Sequence, residues 1–280
     1  MSSSEEDVWR YSASKDVVVS NEWTPEGVTL SVFRRRVGEP ASRTGILYIH
    51  GGGFSHGDRF SWVEEIIDLV ADEGFMAVTV EYRLAPEHTY PAALEDCHAA
   101  LRWMRSNYER LSIDIDRIVL FGVSAGGGLA ASLALKVRDG REPQLLGQLL
   151  SCPMLDNATR EPKEGASPRV DTITWTYEDN RMAWAAYLGR TSAAIAVPAQ
   201  AGSLVGLPRT FIDVGTWDIF LSEDVAYTRR LTEAGVDTEL HVWSRGYHGF
   251  DLREPELSAS KLAIAARHRW LRDLVLGDRS

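Results

Sequence analysis

Residues 118–127 read IVLFGVSAGG, and the way this stretch folds decides the architecture of the chain. Ile118, Val119, Leu120 and Phe121 form an apolar run of strand length that begins with two β-branched residues. Gly122, Val123, Ser124, Ala125 and Gly126 then fit the pattern G-x-S-x-G, and Ala125 to Val137 continues as a helical stretch rich in small residues. A serine on so sharp a strand-to-helix turn is strained, and flanking glycines let the backbone pass close enough to make it. The helix N-terminus behind the serine favours negative charge beside it. The spacing therefore predicts a bend that presents the Ser124 hydroxyl as a candidate nucleophile. An ordinary buried serine in a tight turn is the bland alternative, so the rest of the chain has to supply a base and hydrogen-bond donors.

The same rhythm extends outward. Ile46 to His50 and Phe75 to Val80 are short apolar runs, and Val28 to Arg36 alternates like a strand. Ser61 to Glu73 has helical spacing, and Pro91 to Glu109 reads as a helix with proline in its first turn. Leu145 to Leu150 reads as a buried strand or a short helix. Thr210 to Val214, Ser222 to Ala234 and Thr238 to Val242 repeat strand, helix, strand, and Leu257 to Leu276 closes with a helix. Short strands alternating with helices predict an α/β protein with a mostly parallel sheet and helices on both faces. Asp156 to Ala201 breaks the rhythm with Pro162, Pro168 and Pro198 and an aromatic helix-like stretch, which suggests an insertion over the carboxyl edge of the sheet.

Composition narrows the partners. The 280 residues are 44% hydrophobic, enough for a large core in one domain spanning 1–280. The formal net charge of −10 disfavours nucleic acid and anionic lipid surfaces, and otherwise serves solubility. Cys97 and Cys152 lie too far apart for a disulfide framework or a zinc knuckle, and Cys152 reads as an inert buried thiol. The polar, acidic Met1 to Asp7 lacks the pattern of a secretory signal, and no apolar run reaches 18 residues. A cytoplasmic location is the expectation.

Donors and a base are both available. His50-Gly51-Gly52-Gly53-Phe54 follows a short strand, and glycines let a loop bring backbone N–H groups to a developing oxyanion; the N–H of Ala125 would add another. The loop lacks the G-K-[ST] of a phosphate cradle, and His50 and His56 lack the carboxylate–histidine company of a metal site. Where a serine tops such a sheet, the order along the chain is Ser, acid, His. His241 falls within a strand and His268 on a terminal helix. His248 sits in a loop after a strand, so it is the candidate base. Asp218, in the loop after Phe211 to Gly215, is the acid that would fix its tautomer; Asp213 lies within that strand and Asp224 in the following helix.

With these residues in hand, the chain resembles the hormone-sensitive-lipase-like (type IV) esterases of the α/β-hydrolase fold. The resemblance rests on residues 50–54 (HGGGF), 81–88 (EYRLAPEH), 90–96 (YPAALED), 122–127 (GVSAGG), the Asp218 segment with Glu223, and 248–250 (HGF), from about residue 40 onward. It implies ester hydrolysis on modest acyl chains, no cofactor, and Gly52 and Gly53 joining Ala125 as oxyanion donors. It also implies a small helical lid, here expected at about 1–20 and 157–200, the first piece being reduced. Pairing of two copies through edge strands is a further implication. Two positions depart from the pattern: Val123 and Ser222 stand where the family often has acidic residues.

Other side chains carry weaker signals. Phe54, Trp175, Trp184 and Tyr187 are candidates for lining a substrate pocket, although their spacing equally suits lid core. Glu81, Glu87 and Glu95 read as caps and anchors. The rival to an enzyme is a small-molecule receptor of the same fold, but receptor relatives have lost the histidine that this chain keeps at 248. The triad chemistry would equally serve lactones, amides or biosynthetic intermediates, so motifs alone leave the ester preference to the resemblance.

Overall fold

The computed structural model describes residues 5–37, 43–161, 174–191 and 194–277. Among them, eight strands form a single sheet: β1 (Val17–Trp23), β2 (Thr29–Arg35), β3 (Gly45–Ile49), β4 (Met76–Val80), β5 (Ile118–Val123), β6 (Gly147–Ser151), β7 (Arg209–Gly215) and β8 (Thr238–Trp243). Their order across the sheet is β1-β2-β4-β3-β5-β6-β7-β8. The β1–β2 and β2–β4 pairs are antiparallel, and the other pairs are parallel. Leu145 to Leu150, ambiguous in sequence, resolves as the strand β6.

The helices are α1 (Glu5–Ser14), α2 (Glu64–Asp68), α3 (Ala92–Ser106), α4 (Tyr108–Leu111), α5 (Ala125–Asp139), α6 (Tyr177–Leu188), α7 (Leu221–Glu233), α8 (Phe250–Arg253) and α9 (Ser258–Leu276). The central strands β3, β4 and β5 are buried along their whole length. Their successive side chains point to opposite faces and feed two cores. Leu47, Ile49 and Leu120 join one core with α3, α5, α6 and α7. Ile46, Tyr48, Val119 and Phe121 join the other with α2 and α9. The period-2 pattern of these runs thus sets helices on both sides of the sheet.

The N-terminal segment differs from expectation. Residues 17–20, read as part of a lid, begin strand β1 and pair antiparallel with β2. The preceding helix α1 buries Val8 in the core shared with β1 and α2, and no described residue of 5–20 lines the cavity described below. Consecutive valines, Val17 to Val19, hid the alternation that buries Val17 and Val19 while leaving Val18 half-buried. Of the expected lid element at 157–200, residues 162–173 and 192–193 lie outside the described residues. The described part from Thr174 through α6 packs onto the core of α3 and α5.

A buried ionic cluster ties the last helix to the sheet. Arg267 on α9 is 1% exposed. Its Nε donates to Glu65 of α2 at 3.0 Å, and its Nη1 donates to Ser151 Oγ at 3.0 Å and Asp213 Oδ2 at 3.1 Å. Nη2 donates to Asp251 of α8. Burial lowers the guanidinium pKa, but the three carboxylates outweigh it and hold the group well above its ordinary range. Burial pushes the Glu65 carboxyl up to about 7 and that of Asp213 up to about 6, with Arg267 pulling both the other way. A cluster so desolvated gains little over an apolar core, but removing its single cation strands buried acids. Arg267→Met is expected to cost about 3–5 kcal/mol in denaturant unfolding, the range for breaking a buried pair; a loss below about 1 kcal/mol would show that the cluster is not held by Arg267.

Candidate active site

Strand β5 runs straight into the predicted bend. Ser124 has φ 55° and ψ −119°, a sparsely populated conformation, and α5 starts at the next residue. The neighbours explain the glycines. A Cβ on Gly122 would lie 2.2 Å from the Gly126 carbonyl oxygen, and one on Gly126 would lie 2.1 Å from that of Ile49. The strained turn is held from both sides. Ser124 N–H donates to Ser151 O at 2.9 Å, while its own carbonyl accepts from Gly128 N–H at 3.1 Å and Met154 N–H at 2.9 Å.

The loops after β7 and β8 bring the other two residues to this bend. His248 Nε2 lies 2.9 Å from Ser124 Oγ, and His248 Nδ1 lies 2.8 Å from Asp218 Oδ2. The Asp218 side chain is fully buried, and its Oδ1 accepts from Phe220 N–H at 3.0 Å. The Phe220 ring stands edge-on to the imidazole at 5.1 Å, and Thr174 Oγ1 donates to the His248 carbonyl at 2.7 Å. Ring, carboxylate and hydroxyl thus pin the histidine on three sides. The order is the one in which a carboxylate orients an imidazole that can take a proton from a hydroxyl.

The rival acids and bases lie elsewhere. Asp213 accepts from Trp243 Nε1 at 3.1 Å and belongs to the Arg267 cluster. Asp224 is fully buried on α7, and burial raises its pKa well above the usual carboxylate range. His241 Nε2 lies 2.6 Å from Glu239, and its ring stacks between Phe211 and Trp243. His268 is pushed down to about 4 by burial and by the neighbouring Arg267.

The glycine loop lies against the same bend. The His50 ring stacks on Tyr82 at 4.2 Å, and its Nδ1 lies 2.8 Å from the Gly51 carbonyl. The Tyr82 hydroxyl donates to the His50 carbonyl at 3.0 Å. Burial lowers the His50 pKa to about 4, so the ring is neutral at neutral pH, and because the Gly51 carbonyl can only accept, Nδ1 is the nitrogen that carries the proton. Among the described residues, the N–H groups of Gly52 and Gly53 have no backbone acceptor. That of Ala125 opens α5, where the first helical N–H groups have no intrahelical partner.

A cavity of about 260 Å³ opens at Ser124 and is lined by Gly51, Gly52, Gly53, Trp175 and His248 among others. Of the four expected pocket side chains, Trp175 lines it. Phe54, Trp184 and Tyr187 do not: they are at most 3% exposed, and Phe54 stacks on Tyr187 at 4.0 Å and tilts against Trp184 at 5.2 Å. Trp184 and Tyr187 lie on the inward face of α6, so they form the base of the insertion rather than a substrate wall. Sequence reasoning missed Cys152, Trp62, Leu252 and Arg253, which do line the cavity. Cys152 follows β6 directly, and position after a strand's carboxyl end is the signal that could have found it. Its thiol pKa is raised well above normal by burial, which keeps it protonated.

A serine on a strand-to-helix bend, linked to an imidazole and a buried carboxylate at the carboxyl edge of a mostly parallel sheet, defines the α/β-hydrolase class. The comparisons agree. The family described as "alpha/beta hydrolase fold" matches residues 46–252. The chain is 35% identical to esterase LipI of Mycobacterium tuberculosis over 73% of its own length and 65% of that relative's. Esterase LipW from Mycobacterium marinum superposes with a TM-score of 0.87 at 35% identity, covering 96% of this chain and 85% of that one. An esterase from the bacterial hormone-sensitive lipase family superposes with a TM-score of 0.83 at 28% identity, covering 98% and 92%. This chain belongs to the α/β-hydrolase family. It spans about two thirds of the length of the curated relative LipI.

The buried histidine of the glycine loop gives a direct check on this geometry. With its pKa pushed down to about 4, the His50 ring should keep constant NMR shifts from about pH 8 to pH 5, where an ordinary histidine titrates near 6.5. A midpoint near 6.5 would mean that the ring is not buried against Tyr82.

Proposed function

We propose that the protein is a serine carboxylic ester hydrolase acting on small to medium acyl esters. The observation that carries this reading is the hydrogen-bonded line from Asp218 through His248 to Ser124, with steps of 2.8 and 2.9 Å, ending at an open cavity. In the proposed reaction, Ser124 Oγ attacks the ester carbonyl carbon while His248 Nε2 takes its proton. The carbonyl oxygen becomes an oxyanion held by the N–H groups of Gly52, Gly53 and Ala125. Collapse of the tetrahedral intermediate breaks the bond to the alkoxy group, which leaves as alcohol with the proton from His248. A water, deprotonated by the same imidazole, then attacks the acyl-enzyme, and the acid leaves with Ser124 reprotonated. Asp218 keeps Nδ1 protonated and stabilises the imidazolium of each step.

The cavity volume of about 260 Å³ lies at the small end for ligand sites, which supports short acyl groups. Val123, buried where the family often has an acid, gives that wall an apolar surface. The esterase names of the relatives favour esters over the amides and lactones that the same residues could open. No helix among the described residues is long and apolar enough to cross a membrane. Residence in the cytosol belongs to the same reading and is supported by two buried free thiols. So does pairing of two copies along an outer strand, for which β8 offers a partly exposed edge.

Ser124→Ala should abolish turnover of a chromogenic short-chain ester, and retained turnover would refute the assignment. Gly52 has φ 108°, and a Cβ there would lie 2.1 Å from the His56 carbonyl oxygen. Gly52→Ala should therefore displace the donor loop and lower kcat by about 10²-fold or more, the effect of losing one oxyanion donor. An unchanged kcat would remove Gly52 from that role.

A further inference from the structure

The chain carries 40 acidic residues against 30 lysines and arginines, but the cavity at Ser124 reverses that balance. Among its described lining residues there is no aspartate or glutamate. There is one guanidinium, that of Arg253, and there are the imidazoles of His56 and His248. Asp218 lies behind His248 and is not part of the lining. Arg253 closes α8, the short helix that begins two residues after His248, so the loop that positions the base also positions this cation. Its guanidinium carbon stands 5.8 Å from the centre of the Trp62 ring, which lines the same cavity. Among the described residues Arg253 makes no ion pair, in a chain where most arginines do. A guanidinium held against an aromatic face keeps its N–H edge free, and that edge matches a carboxylate in fork geometry. Among the described lining residues, its chain neighbour Leu252 and the Trp62 ring are apolar, and Arg253 carries the one guanidinium.

We propose that the preferred substrates are small esters that carry a carboxylate on their acyl or alcohol part, and that Arg253 binds that carboxylate. The inference rests on the ester-hydrolase reading and names the substrate class of the same site. Arg253 is exposed at the cavity rim, and an arginine that only faced solvent there would be indifferent to substrate charge. A specificity residue would favour the anion and lose that preference when neutralised, because a charge-assisted hydrogen bond discriminates where a neutral side chain does not.

The test compares two substrate pairs. Ethyl hydrogen succinate and ethyl pentanoate differ by a carboxylate on the acyl side. The acetate ester of 3-hydroxypropanoate and butyl acetate differ on the alcohol side. In at least one pair the wild type should show a kcat/KM for the anion about tenfold above that for its neutral partner, the factor expected of one charge-assisted hydrogen bond. Arg253→Gln should bring that ratio to about one, and Arg253→Lys should keep part of it. The neutral ester in each pair normalises for any general loss in a variant. Which pair responds assigns the carboxylate to the acyl or the alcohol side. Neutral esters preferred in both pairs, or an anion preference that Arg253→Gln leaves intact, would overturn the proposal while leaving the hydrolase reading in place. No turnover of any of the four esters by the wild type would overturn both.

Discussion

The hydrogen bond between Ser124 Oγ and His248 Nε2 joins two loops 124 residues apart in sequence, and the rest of the structure serves to hold it. A hydroxyl is a poor nucleophile until a base within reach takes its proton. Holding that reach to a few tenths of an ångström requires both ends to be rigid. On the serine side, rigidity comes from a strained backbone clamped between β5, α5 and the start of the 151–154 segment. On the histidine side it comes from Asp218, the Phe220 ring and Thr174.

The sheet explains why these parts meet. Strands β5, β7 and β8 are parallel to one another in the order in which they lie across the sheet, so their carboxyl ends share one edge. Ser124, Asp218 and His248 each follow one of those strands. The β3 end contributes the glycine loop to the same edge. Underneath, Arg267 links α9 to Asp213 of β7, to Ser151 at the end of β6 and to Asp251 of α8, just beyond His248. The buried cation therefore braces the histidine loop against the sheet without touching the reacting atoms. On the proposed reading, the N–H groups of Gly52, Gly53 and Ala125 in a cavity bounded in this way would need no rearrangement when charge develops, and preorganisation of that kind is the larger part of such catalysis.

Much of this was legible in the sequence, for physical reasons. Fully buried parallel strands leave unbroken apolar runs such as Ile46 to Ile49 and Ile118 to Phe121, and a strained elbow leaves glycines, so the sheet and Ser124 could both be read. His248 and Asp218 were found because each follows a strand rather than lying within one. What stayed hidden depends on rotation about a helix or on partners distant in sequence. Trp184 and Tyr187 are three positions apart on α6, and that spacing places them on one face without saying which way the face points; it points inward. Strand β1 was masked because three successive valines carry no alternation of their own. The Arg267 cluster joins residues that are far apart in the chain, and no local pattern announces a buried cation.

Ser124 is the proposed nucleophile because His248 Nε2 lies 2.9 Å from its hydroxyl. The most direct measurement is peptide mapping by mass spectrometry after reaction with a fluorophosphonate, which marks only an activated serine. The expected result is a single phosphonyl adduct on the peptide containing Ser124, lost when His248 is replaced by alanine. An unmodified protein, or an adduct on another residue, would contradict the account.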